Sequence, residues 1–146
     1  MDIKFRKSKK EDLPAILNIL NSVSGDARNV NPEQFLLAEH NNKIVGCARI
    51  KEVDGKFELA SLAVLPEYRK QGIGTSLVKK MLANKPDKRP LYLLCHKNNE
   101  DFYRRLGFKT KKPENLQNIL KKDYNKFLKH RFAENPELLI VMILTK

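Results

Sequence analysis

No part of this chain of 146 residues is apolar for long. The longest such run, residues 138–144, falls far below the roughly 20 residues a spanning helix requires. The opening residues MDIKFRKSKKEDL alternate charge with apolar side chains and lack the continuous apolar centre of a secretory signal, so a cytoplasmic location is expected. Cysteine is scarce. Cys47 and Cys95 sit in strand-like apolar settings without metal-ligand spacing, which predicts free thiols, a reducing compartment and no metal. Repeats, low-complexity tracts and linker-like stretches are missing too, leaving one domain over residues 1–146, a length at which a single core is well buried. Acidic residues are the minority: 17 Asp and Glu stand against 29 Lys and Arg, a formal charge of +12. Such a field attracts nucleic acid, an anionic membrane surface or a phosphate-rich cofactor alike, so the placement of the charge must decide.

With 41% apolar and 32% charged residues the composition is that of a soluble globular protein. Ile3 and Phe5 alternate with charges as in a short edge strand, and Leu13, Ile16, Leu17, Leu20 and Val23 have helical spacing. Ser8 with Glu11 offers a capping box for that helix, while Pro14 offers a start nearer Asp12. Polar residues 24–32 have no period and read as a mobile loop on the substrate side. Residues 35–38 and 44–50 form two strands around a turn at His40, Asn41 and Asn42, and a second turn over 53–56 leads into a strand over 57–64. From Ile73 the residues Leu77, Val78, Met81 and Leu82 share one helical face that ends before Pro86. Residues 91–95 are the next strand, and a short helix over 100–106 stops at Gly107. Leu116, Ile119, Leu120, Tyr124, Phe127 and Leu128 mark a long lysine-rich amphipathic helix, and 138–144 a closing strand. This order predicts an α+β fold with helices on both faces of a mixed sheet.

The most specific stretch is LAVLPEYRKQGIGTSLVKKML, residues 62–82. A strand runs into a basic turn with Gly72 and Gly74, then directly into a helix. Glycines let a ligand approach the backbone, and a helix start presents unpaired N–H groups and a positive dipole end, so the turn is built for phosphate. No Lys-Ser or Lys-Thr pair follows as in a nucleotide P-loop, and the third glycine of a dinucleotide fingerprint is missing. Taken alone, the segment fits either a phosphate site or an ordinary capped helix.

Read with FYRRLGF, residues 102–108, it resembles the acetyl-CoA-dependent N-acetyltransferases of the GNAT superfamily. The family's Arg/Gln-x-x-Gly-x-Gly/Ala motif is matched at Arg69, Gly72 and Gly74, and its Phe-Tyr-x-x-x-Gly-Phe motif at Phe102, Tyr103, Gly107 and Phe108. The order of strands and helices agrees from Ile3 to Phe108. The resemblance implies a mostly antiparallel central sheet with helices on both faces, and acetyl-CoA as cosubstrate. It implies that Arg69, Lys70, Gln71, Gly72, Ile73, Gly74 and Thr75 hold the pyrophosphate, and that the backbone of Leu62, Ala63 and Val64 pairs with the pantetheine arm. A neutral amine would attack the acetyl thioester through a tetrahedral intermediate whose oxyanion meets the Val64 N–H. Glu58 matches the family's general base, acting directly or through water; its other reading is an exposed strand residue. Tyr103 matches the general acid facing the sulfur; its other reading is a core aromatic. Where many members carry an Asn against the pantetheine this chain has His96, with Asn98 either making that contact or capping the helix. His96 itself reads as a proton relay or a polar loop residue.

Residues 91–108, with KIVGCARI and ELASLAVLPEYRKQGIG, are similar to acetyltransferase domains of the N-acetylglutamate synthase type, which act on a free amino acid. That implies a small amine acceptor such as a free amino acid, with glutamate one candidate. A protein N-terminus or lysine is the alternative, and a basic nucleic-acid-binding domain a third reading. Residues 109–131 are lysine-rich, yet Tyr124 and Phe127 fall on the apolar face, so no nucleic acid is expected. No membrane partner is expected, and 138–144 could serve as an edge for a homodimer.

Overall fold

A computed structural model describes residues 2–116 and 118–146, without the side chains of Val53, Asn118 and Ile119. Ile119 of the expected apolar stripe therefore lies outside the described side chains. Among the described residues there are seven strands in a mostly antiparallel sheet and four α-helices. They are β1 (Lys4–Lys7), α1 (Leu13–Ser22), β2 (Phe35–His40), β3 (Lys43–Val53), β4 (Lys56–Val64), α2 (Ile73–Asn84), β5 (Leu91–His96), α3 (Glu100–Arg105), β6 (Lys109–Lys111), α4 (Asn118–Arg131) and β7 (Leu139–Leu144). Contacts divide the chain into two compact units, residues 1–51 with 59–86 and residues 52–58 with 87–146.

In the first unit β1 pairs antiparallel with β2, and β2 with β3. Asn41 and Asn42 both take positive φ, which closes the β2–β3 hairpin as a two-residue turn whose twist suits the strands. Both faces are covered. Phe35, Leu37, Cys47 and Ala63 pack on Ile16, Ile19 and Leu20 of α1, and each such fully buried aliphatic contributes roughly 1.5–3 kcal/mol. The alternate residues Ala38 and Gly46 pair on the other face, where Leu77 and Ile73 of α2 come within 3.3 Å of the space above Gly46. Helix α1 starts at Leu13 with Pro14 in its first turn, after a single turn of tighter helix over Lys10–Asp12. The Ser8 box does not form. The Ser8 hydroxyl turns to the carbonyls of Pro32 and Phe35, and the Lys9 N–H donates to Asp12 Oδ2 at 2.7 Å instead.

In the second unit the start of β4 pairs parallel with β5 through Phe57 and Glu58, β5 pairs antiparallel with β7, and β7 with β6. Strand β7 thus has neighbours on both sides and is no edge, which corrects its expected role in a dimer. Strand β6 was not expected, because Lys-Thr-Lys carries no apolar alternation. Helix α4 lays Leu120, Tyr124 and Phe127, with Leu116 just ahead of the helix, against Tyr92, Leu94, Leu139 and Val141. Helix α3 ends with the Gly107 N–H donating to the Arg104 carbonyl and the Phe108 N–H to the Tyr103 carbonyl. That double closure needs a left-handed residue, supplied by Gly107 at φ +102°.

Candidate active site

The turn between β4 and α2 is built from strained and exposed residues. After Val64 the chain makes a single tight turn over Pro66–Tyr68, extends at Arg69, and takes positive φ at Lys70 and at Gly72. Gly72, at φ +81°, is the N-cap of α2, and its carbonyl accepts the Ser76 N–H at 3.0 Å. No side chain caps this end. The N–H groups of Ile73, Gly74 and Thr75, in the first helical turn, therefore lack both an intrahelical acceptor and a cap. Arg69, Lys70, Gln71 and Gly72 are all exposed, and a methyl added at Gly72 would meet nothing within 4 Å. A dianionic group fits here by charge, by free donors and by open space.

Upstream, Leu62 and Val64 are half-buried and Ala63 is buried against α1. The Leu65 N–H bonds the Val45 carbonyl at 2.9 Å on the β3 side, and the Val64 carbonyl accepts Arg69 Nε at 3.0 Å. Arg69 thus ties the turn to the strand end, a contact its motif position did not reveal. Among the described residues β4 pairs with β5 through Phe57 and Glu58 alone.

Glu58 is buried, only 6% exposed, and stands opposite Tyr92. A cavity of about 10 Å³, space for about one water, is lined by Glu58, Tyr92, Leu94, Leu120 and Asp123 of α4. The exposed-strand reading of Glu58 does not hold. Sequence reasoning also missed Asp123, which enters the cavity from a helix read only as lysine-rich and amphipathic.

Tyr103 is partly buried, edge-on to Phe102 at 5.0 Å and to Phe108 at 6.0 Å between ring centroids. Burial, with a smaller contribution from Cys95, raises its phenol well above the usual tyrosine range, so the proton is firmly held at neutral pH. Burial likewise pushes the Cys95 thiol up to about 12. Asn98 is exposed and does not cap α3. His96 Nδ1 accepts the Asn98 N–H at 2.9 Å and so caps the single tighter turn over Lys97–Asn99 that precedes α3, while Asn99 at the start of α3 makes no side-chain cap.

The loop at residues 24–32, expected to be mobile, is tied down. Arg49, fully buried, donates to the carbonyls of Arg28 at 2.7 Å and Asn29 at 3.0 Å. A charged residue inside the strand CARI was the signal available in the sequence, since a buried guanidinium requires several acceptors.

Residues 31–110 match the family model for the acetyltransferase (GNAT) domain. An uncharacterized N-acetyltransferase of Chlorobaculum tepidum is 30% identical over 118 residues, which is 74% of this chain and 76% of that protein. An amino-acid acetyltransferase of Buchnera aphidicola is 29% identical over 84% of this chain, but that is 30% of its own length. Among solved structures, N-acetylglutamate synthase of Neisseria gonorrhoeae, complexed with coenzyme A and N-acetyl-glutamate, shares the fold at TM-score 0.78 and 21% identity, over 99% of this chain and 35% of that one. The chain spans about a third of these last two relatives. With the glycine-bearing turn and the Phe-Tyr-x-x-x-Gly-Phe closure in place, the chain belongs to the GNAT family of acetyltransferases.

Proposed function

We propose that residues 1–146 act as one acetyltransferase domain, which moves the acetyl group of acetyl-CoA to the primary amine of a free amino acid, with glutamate as the first candidate. The observation that carries the reading is the start of α2, where Gly72 turns left-handed and no side chain caps the first-turn amides beside the exposed Arg69 and Lys70. These residues, with Gln71, Ile73, Gly74 and Thr75, hold the pyrophosphate of the donor. The backbone of Leu62, Ala63 and Val64 takes the pantetheine arm, with the Val64 carbonyl already occupied by Arg69. Asn98, exposed beyond β5, is the remaining candidate for a pantetheine contact.

Glu58 removes the proton from the incoming ammonium. Its burial and the water-sized cavity beside it favour transfer through one water over direct contact. The Val64 N–H stabilises the oxyanion of the tetrahedral intermediate. Tyr103, protonated at neutral pH, is the proton donor for the departing thiolate. The amino-acid acceptor is supported by the likeness to the amino-acid acetyltransferase and to N-acetylglutamate synthase. The free cysteines suit a cytoplasmic enzyme.

Calorimetric titration with acetyl-CoA tests the donor, and absence of binding at millimolar ligand would sink the reading. Release of free coenzyme A with a panel of amino acids, against a panel of peptides, tests the acceptor. Turnover on peptides alone would move the assignment to a protein substrate.

A further inference from the structure

Within β4, Ser61 has φ +57°, a left-handed conformation that a serine adopts only at a cost. Its side chain is held on both sides: the hydroxyl donates to the Asp26 carbonyl at 2.6 Å and accepts Arg49 Nε at 2.9 Å. The strand's own carbonyl at Ser61 faces Cys47 Sγ at 3.5 Å. Arg49 is 0% exposed, and all five of its N–H groups find acceptors: Ser61 Oγ, the carbonyls of Asp26, Arg28 and Asn29, and Gln34 Oε1. The Asp26 carboxylate, 3.9 Å from Nη2, supplies the countercharge.

A planar cation with five filled donors fixes the positions of its acceptors, because losing one leaves a buried donor unmet. The loop at residues 26–29 and the left-handed residue of β4 are therefore held by one group. A left-handed residue inside a strand also turns the peptide planes that follow it, which here belong to Leu62, Ala63 and Val64.

We propose that Arg49 and Ser61 are positioning residues for the donor: through the conformation of Ser61 they aim the Leu62–Val64 backbone at the pantetheine arm. This rests on the acetyl-CoA reading above. It separates the two halves of the donor site, because the pyrophosphate turn at Gly72 does not depend on the Ser61 conformation.

The test uses Ser61→Gly, which removes the CH2OH side chain and with it both bonds that hold φ +57°, adds no clash, and leaves a residue free to depart from that conformation. Coenzyme A and ADP, which carries the pyrophosphate without the pantetheine arm, are titrated by calorimetry into the wild type and the variant. Coenzyme A is expected to bind about five- to twentyfold more weakly to the variant, the loss of one or two backbone bonds, while ADP changes by less than about twofold. Arg49→Lys should show the same selective loss if it folds, because a point charge cannot meet five acceptors. Unchanged coenzyme A affinity in Ser61→Gly, or an equal loss for both ligands, overturns the positioning role. Failure of the wild type to bind coenzyme A overturns the donor reading, and this inference with it.

Discussion

Replacing Gly72 by alanine isolates the conformational demand of the turn, because the added methyl would touch nothing within 4 Å. No clash contributes, so the stability cost is that of an L-residue at φ +81°, about 1–2 kcal/mol. For a domain near this size that lowers the melting temperature by about 2–8 °C, read by circular dichroism. The methyl also projects toward the space where the pyrophosphate is proposed to lie, so coenzyme A affinity should fall by about tenfold or more. Gly72→Asn separates the two effects, since asparagine tolerates the left-handed region and should melt close to the wild type while still crowding the ligand. An alanine variant with wild-type melting would deny the left-handed turn. One that melts early yet binds coenzyme A normally would deny that this turn holds the donor.

Tyr103→Phe should lower kcat by about ten- to a thousandfold with donor affinity unchanged, and an unchanged kcat would remove Tyr103 from the acid role. Glu58→Gln should lower kcat by about a hundredfold, with thermal melting as the control for its buried position. At Asp26 burial raises the carboxyl, but the bonds from Arg28 and the charge of Lys51 outweigh it and hold the pKa at about 2, below the ordinary 3.8. A depressed folded pKa stabilises fully above the unfolded value and loses that contribution as pH falls through the folded one. Stability in urea should therefore drop by about 2 kcal/mol between roughly pH 5 and pH 2 on account of this group, and Asp26→Asn should flatten that window.

Much of the fold was legible because its signals are local. The Asn41-Asn42 turn, the helical face from Ile73 to Leu82 and the Gly107 stop each reside in a few neighbouring residues whose conformational needs are specific. The misses share another cause. Ser8 satisfies carbonyls 24 and 27 residues away and so leaves the capping box unmade, and Arg49 fixes a loop some 20 residues upstream of itself. Such partners are chosen by tertiary packing, which no window of sequence contains. The candidate site divides the same way. Its glycines could be read from spacing, whereas Asp123 beside Glu58, the Nδ1 cap of His96 and the Arg69 bond to the Val64 carbonyl depend on strands and helices meeting.

Charge bears on the acceptor only where it is local, and residues 97–131 hold eleven Lys and Arg against four Asp and Glu. Helix α4, inside that stretch, exposes Lys122, Lys126 and Lys129 and lines the Glu58 cavity through Leu120 and Asp123. An amine that reaches Glu58 beside this helix meets the acidic side chains of Glu58 and Asp123 at close range, while the exposed lysines act from farther away, so glutamate is preferred to its isostere glutamine only where the lysines' field outweighs that pair. The preference should depend on salt, because raising ionic strength from about 0.1 M to about 1 M shortens the Debye length from about 10 Å to about 3 Å. Acetyl-CoA is itself anionic and its binding will weaken too, but the ratio of the two acceptors' kcat/KM values at each salt concentration cancels the donor. That ratio should fall by about three- to tenfold across the range. A ratio that stays constant would show that the lysines of α4 are only solvated and that acceptor choice rests on contacts at Glu58, Tyr92 and Asp123.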